Sequence, residues 1–83
     1  MTRDEIKALV TDKLISVAPD IEGEEIAPDE NFRDQFEIDS MDFLNFITAL
    51  SEATGLDFPE ADYGRLWTLN GCIDYIAEKT GTA

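Results

Sequence analysis

The sequence predicts an all-α fold, a bundle of three longer helices and one short helix with a long loop between the first and the second. Apolar residues recur at helical spacing in separate stretches, capping residues and glycines bound those stretches, and no segment reads as a strand or an internal repeat. The 83 residues suffice for one domain, covering 1–83. A chain this small buries on folding only about 60–65% of the surface it exposes when unfolded, so a deep enzyme pocket of its own making is not expected.

Thr2 followed by Glu5 has the pattern of a capping box, which satisfies orphan backbone donors at a helix start. Ile6, Leu9, Val10, Leu14 and Val17 then repeat at helical spacing until Ala18-Pro19 stops the pattern, giving a first helix over 3–17. From Pro19 to Glu37 the chain holds two prolines, one glycine and eight acidic residues without sustained periodicity. This stretch reads as a loop with no structure of its own, pinned to the core by Ile21, Ile26, Phe32 and Phe36. Only Arg33 opposes its acids, so counterions should gather there. A loop of this length in a small domain is usually functional or disordered, which directs attention to its end.

At Asp39-Ser40 a second helix begins, since either residue can cap exposed N–H groups and Asp42 complements the positive end of the helix dipole. It should run over 40–54 and stop at Gly55. Asp57-Phe58-Pro59-Glu60 opens a brief third helix, weakened by Gly64. After Thr68, Leu69, Cys72, Ile73 and Ile76 form one apolar stripe of a last helix that ends near Lys79 or Thr80, before Gly81.

At about 100° per residue, Phe43, Phe46, Ile47 and Leu50 share the inward arc of the second helix, whereas Met41, Leu44, Thr48 and Glu52 lie opposite. The first set is core. The second places two apolar residues on a solvent face directly after Ser40, as a docking surface would; isolated exposed hydrophobes are also common on ordinary surfaces.

With 19 acidic residues against 6 basic ones, the net charge is −13. The resulting negative potential repels phosphate backbones and anionic lipid heads, which makes nucleic acid and membrane surfaces poor partners and favours proteins with basic docking patches. No run of about 20 apolar residues suggests membrane insertion, and no arginine-flanked apolar run near Met1 suggests export. A cytoplasmic monomer is expected. The lone Cys72 follows the apolar pattern of its helix and reads as a small core residue. Ser40 is not read as a self-contained hydrolytic nucleophile, because the chain has no histidine, the usual base of such a serine, and no nucleophile-elbow motif. A calcium loop over 34–45 fails too, since Phe36 and Ile38 occupy ligand positions and Asp39 the glycine position.

Phe36-Glu37-Ile38-Asp39-Ser40-Met41-Asp42, followed by Leu44, Ile47, Leu50, Glu52, Gly55, Leu56 and Pro59 and closed by Thr68, Leu69, Ile73 and Ile76, closely resembles the acyl carrier protein family. The resemblance covers nearly the whole chain and centres on an Asp-Ser-Leu type motif in which Met41 replaces leucine. It implies an acyl-carrier-protein-like bundle and a non-enzymatic role. It further implies that the Ser40 hydroxyl is joined to 4′-phosphopantetheine from coenzyme A by a separate, magnesium-dependent phosphopantetheinyl transferase. By the same resemblance Asp39 belongs to transferase recognition, although a cap is the equal alternative. Met41, Asp42, Leu44, Asn45, Thr48 and Glu52 form the face offered to acyl-transferring and acyl-modifying enzymes. The acyl chain of this family can also slip between the helices, which here points to Phe43, Phe46, Ile47, Leu50, Leu66 and Ile73.

Three features depart from the family pattern. Glu37-Ile38 stands where a glycine usually precedes the motif, Asn45 and Ser51 replace acidic residues, and Trp67 replaces a smaller residue and either narrows the acyl channel or simply packs. These suggest a specialised carrier serving fatty-acid, polyketide or related synthesis. An aminoacyl or peptidyl carrier, which typically has a glycine-rich lead into its serine, and an unmodified acidic interaction module are the alternatives.

Overall fold

The computed structural model describes residues 1–81. Helix α1 (Arg3–Val17) starts as its capping box dictates. The Glu5 N–H donates to Thr2 Oγ1 at 3.1 Å and the Thr2 N–H to Glu5 Oε1 at 2.8 Å, and the bond accepted from the Thr2 N–H holds the Glu5 carboxyl below its ordinary range. Ile6, Val10 and Leu14 form its buried stripe.

The stretch after α1 corrects the expectation of a loop without structure. Pro19–Ile21 is a 3-10 turn, and Phe32–Gln35 is a four-residue helix, α2, whose first turn is capped by Asn31. Both exist because of what they bury or bind. Ile21 is 6% exposed and Phe32 fully buried, its ring edge-on to Phe46 at 5.7 Å between centroids. Gln35 spans the segment, donating from Nε2 to the carbonyls of Ala27 and Glu30 at 2.9 and 2.8 Å and accepting the Ala27 N–H at 2.9 Å. The Asn70 N–H, donated to the Pro28 carbonyl at 3.0 Å, ties the same stretch to the last helix. Ile26 and Phe36 are partly buried against the core, as anticipated.

Helix α3 (Ser40–Thr54) and helix α4 (Leu69–Thr80) have the expected limits. Each ends on a glycine in the left-handed region, Gly55 and Gly81, both with φ of 72°. The brief third helix is a 3-10 segment, Glu60–Trp67, that begins after Pro59 and buries Leu66. Thr68 caps α4, its Oγ1 accepting the Gly71 N–H at 3.0 Å. α1 packs against both α3 and α4, and the 3-10 segment packs on α4. Gly71 is required at that junction, since a Cβ there would lie 1.9 Å from the Arg65 carbonyl oxygen.

The core contains the whole inward arc of α3 together with Leu69, Cys72, Ile73 and Ile76 of α4. Burial pushes the Cys72 thiol well above its usual range, and its S–H donates to the Leu66 carbonyl at 3.2 Å. Tyr75, absent from the predicted stripe, is also core at 1% exposure. It stacks on Phe58 and reaches out at its polar tip, where its hydroxyl donates to Asp62 Oδ2 at 2.8 Å. Among the described residues no helix is long and apolar enough to cross a membrane.

Candidate functional site

The chain reaches Ser40 through a tight turn. The Ile38 N–H donates to the Phe36 carbonyl at 2.9 Å, and Ile38 is 2% exposed, so a buried side chain anchors the approach to the helix. Glu37 sits in the middle of that turn. Among the described residues no position other than glycine has a positive φ. The turn therefore needs no glycine, which accounts for Glu37-Ile38 at this point.

Asp39 is the N-cap of α3, its Oδ1 accepting the Asp42 N–H at 2.9 Å. The cap role inferred from sequence is therefore present, and one oxygen of the carboxylate is engaged in it. Ser40 follows as the first helical residue, with its side chain exposed. Met41 is 72% and Leu44 50% exposed, whereas most large apolar side chains are buried. Asn45, Thr48 and Glu52 continue the same exposed face, and Asp42 is half-buried beside it. The Thr48 hydroxyl is turned back onto its own helix, donating to the Leu44 carbonyl at 2.9 Å.

Two open clefts meet at Ser40. The larger, about 520 Å³, is bordered by Arg33, Glu37, Ile38, Asp39 and Ser40. The smaller, about 330 Å³, lies between α3 and the 3-10 segment and is bordered by Ser40, Phe43, Leu44, Glu60, Tyr63 and Trp67. Further along α3 a third cleft of about 360 Å³ is bordered by residues including Ile47, Ser51, Phe58 and Tyr63. Tyr63 thus stands between the second and third clefts.

The residues expected to line an acyl channel are brought together, but as packed core: Phe46, Leu50 and Leu66 are fully buried, and Phe43, Ile47 and Ile73 nearly so. Of that set, only Phe43 borders the cleft at Ser40. Trp67 covers Phe43, the two rings stacked 3.9 Å apart with 7° between their planes, while Tyr63 meets Phe43 edge-on at 5.6 Å. Trp67 therefore packs over the inward arc of α3 and forms the cleft wall with its remaining surface. Its other neighbour is Arg33, whose guanidinium carbon lies 4.7 Å from the indole centroid. Neither Arg33 nor Tyr63 was singled out as a site residue from sequence. The one available signal for Arg33 was its isolation as the single base amid the acids of 19–42. Among the described residues no cluster of three or more potential ligands is placed to hold a metal ion.

A family profile described as "Phosphopantetheine attachment site" matches residues 9–76, most of the chain and all of the elements around Ser40. The acyl carrier protein of Picosynechococcus is 30% identical over 78 residues, which is 94% of this chain and 90% of that protein. The acyl carrier protein of Thermosynechococcus vestitus is 33% identical over 76 residues, 92% of this chain and 88% of its own. That of Lactobacillus johnsonii is 32% identical over 76 residues, 92% of this chain and 94% of its own.

Proposed function

Because the chain belongs to the phosphopantetheine attachment-site family, together with acyl carrier proteins that it matches along most of their length, we propose that Ser40 is the attachment point of its 4′-phosphopantetheine and that residues 1–83 act as one carrier domain. The observation that carries the reading is the exposed Ser40 side chain at the first position of α3, where two open clefts meet. That position fits an arm of such length, which needs a hydroxyl free of the core and room at its root. Bound there, the prosthetic group supplies a thiol on a flexible tether, on which an acyl group is held as a thioester and brought to successive enzymes at high effective concentration.

The residues around Ser40 do the rest. Asp39 fixes the first turn of α3 and offers its remaining carboxylate oxygen to the modifying transferase. Met41 and Leu44 give a partner enzyme an apolar contact, and Asp42, Glu52 and the acidic surroundings attract its basic patch. Asn45 and Ser51, uncharged where carriers of fatty-acid synthesis are typically acidic, thin that acidic face, which together with Trp67 over Phe43 supports a specialised carrier rather than the general one of fatty-acid synthesis. Catalysis stays with the partners, as it does for carriers of this family, and the protein is read as a cytoplasmic monomer.

Incubation with coenzyme A, magnesium and a broad-specificity phosphopantetheinyl transferase tests the reading. One phosphopantetheinyl unit should appear on the intact mass and map to Ser40, and Ser40→Ala should abolish it without loss of helicity. Addition at any other residue, or none with a transferase active on other carriers, refutes it.

A further inference from the structure

An arm joined to Ser40 through phosphate puts a negative phosphodiester where negative charge is already dense. Glu37, Asp39 and Asp42 flank the serine in sequence, and Glu60 borders the smaller cleft with it. Only one basic residue, Arg33, lies between Lys13 and Arg65. Helix α2 sets Arg33 in the wall of the larger cleft, which it shares with Ser40.

The way Arg33 is held matters more than its presence. Arg3, Lys13 and Arg65 are each paired with a carboxylate. Among the described residues the Arg33 guanidinium has no such ion pair, and its partner is instead the ring of Trp67, 4.7 Å from the guanidinium carbon. That ring is itself stacked on the buried Phe43, so the platform beneath the guanidinium is firm. An arginine steadied by an aromatic face keeps its planar set of N–H donors for an anion, and the oxygens of a phosphate group match the geometry of that fork.

We propose that Arg33, seated on Trp67, binds the phosphate of the phosphopantetheine arm on Ser40 and is a positioning residue that sets the direction in which the arm leaves the protein. The inference rests on Ser40 being the attachment point. Trp67 touches the same guanidinium and is the single tryptophan of the chain, so its emission reports the event.

Apo and holo forms of the wild type, Arg33→Gln and Arg33→Lys are compared by phosphorus NMR and by tryptophan fluorescence. Intact mass certifies loading, and far-UV circular dichroism certifies folding. At low salt the wild-type phosphorus resonance should be displaced from that of a phosphopantetheine phosphodiester free in solution. The displacement should vanish in Arg33→Gln, persist in part in Arg33→Lys, and shrink in the wild type at about 1 M salt, where the screening length falls to about 3 Å. Loading should shift Trp67 emission in the wild type and leave it unchanged in Arg33→Gln. Equal phosphorus resonances in loaded, folded wild type and Arg33→Gln would overturn the proposal and leave Arg33 as a packing partner of Trp67. If Arg33→Gln does not fold, a wild-type resonance that ignores salt overturns it equally. A protein that accepts no arm at all overturns the attachment reading, and this inference with it, and mass alone tells that case from the others.

Discussion

Replacing Asp39 by alanine removes the acceptor of the Asp42 N–H and a negative charge from the positive end of α3 in one step. A lost N-cap costs about 0.5–2 kcal/mol, typically about 1. Water can reach the exposed cap position and take over part of the bond, which argues for the middle of that range. The lost interaction with the helix dipole adds about 0.3–1 kcal/mol at low ionic strength. Relief of self-repulsion in a chain of net charge −13 works against it. The net expectation is a loss of about 1–2 kcal/mol, and at about 4–8 °C per kcal/mol for a domain of this size the thermal midpoint should fall by roughly 5–15 °C. Asp39→Asn retains an acceptor of equal capping strength and should stay within a few degrees of wild type. Thermal unfolding followed by circular dichroism, at low and moderate salt, measures both. The same two variants separate the residue's roles: if the transferase reads the charge, Asp39→Asn will be stable yet modified slowly. Equal midpoints for wild type and Asp39→Ala, or equal losses for the two variants, would refute the cap argument.

Gly71→Ala should destabilise by about 1–3 kcal/mol in denaturant unfolding, because its new methyl would meet the Arg65 carbonyl across the junction of α4 and the 3-10 segment. Stability should fall as pH rises above the ordinary thiol value of 9.0: the unfolded chain then releases the Cys72 proton while the folded one keeps it, a slope of at most about 1.4 kcal/mol per pH unit. Cys72→Ala, although less stable overall, should lose that part of the slope in unfolding measured over the alkaline range. Met41→Ala with Leu44→Ala should weaken binding to a partner enzyme by roughly 10-fold or more, since covering a large apolar side chain contributes about 1.5–3 kcal/mol, and the affinity should fall with salt. Calorimetric titration over a salt series measures both effects. Moderate salt or millimolar divalent cations should raise the thermal midpoint by screening the acids of 20–37, and equal gains at equal ionic strength would identify screening alone as the cause.

Helices α1 and α3 were legible to the residue because their limits are chemical: a capping box and Ala18-Pro19 for the one, Asp39 and Gly55 for the other. α2 was not, since four residues with one buried phenylalanine generate no period, and the turn exists through Gln35 and Phe46, neither of which local spacing can weigh. Tyr75 was missed because its hydroxyl suggests a surface, and its burial depends on Asp62, supplied by a different segment. The site divides in the same way. Ser40, Asp39, Met41 and Leu44 lie in one run of sequence and could be read together. The clefts at Ser40 are built from α2, α3 and the 3-10 segment, so Arg33 and Trp67 meet only once the chain is folded.

The bonds of Gln35 to Ala27 and Glu30 have a consequence for motion. One amide gathers the segment from Ala27 to Gln35 into a small closed ring of chain, fastened to the rest by the buried Phe32 and by Asn70 at Pro28. Such a ring should open and close as a unit rather than fray, with exchange protection of its amides rising and falling together and below that of α1 and α3. Arg33 rides on that unit, whereas Ser40 and its cap belong to α3. One breathing motion can therefore carry the cation that borders the larger cleft away from the serine and back while the first turn of α3 stays folded.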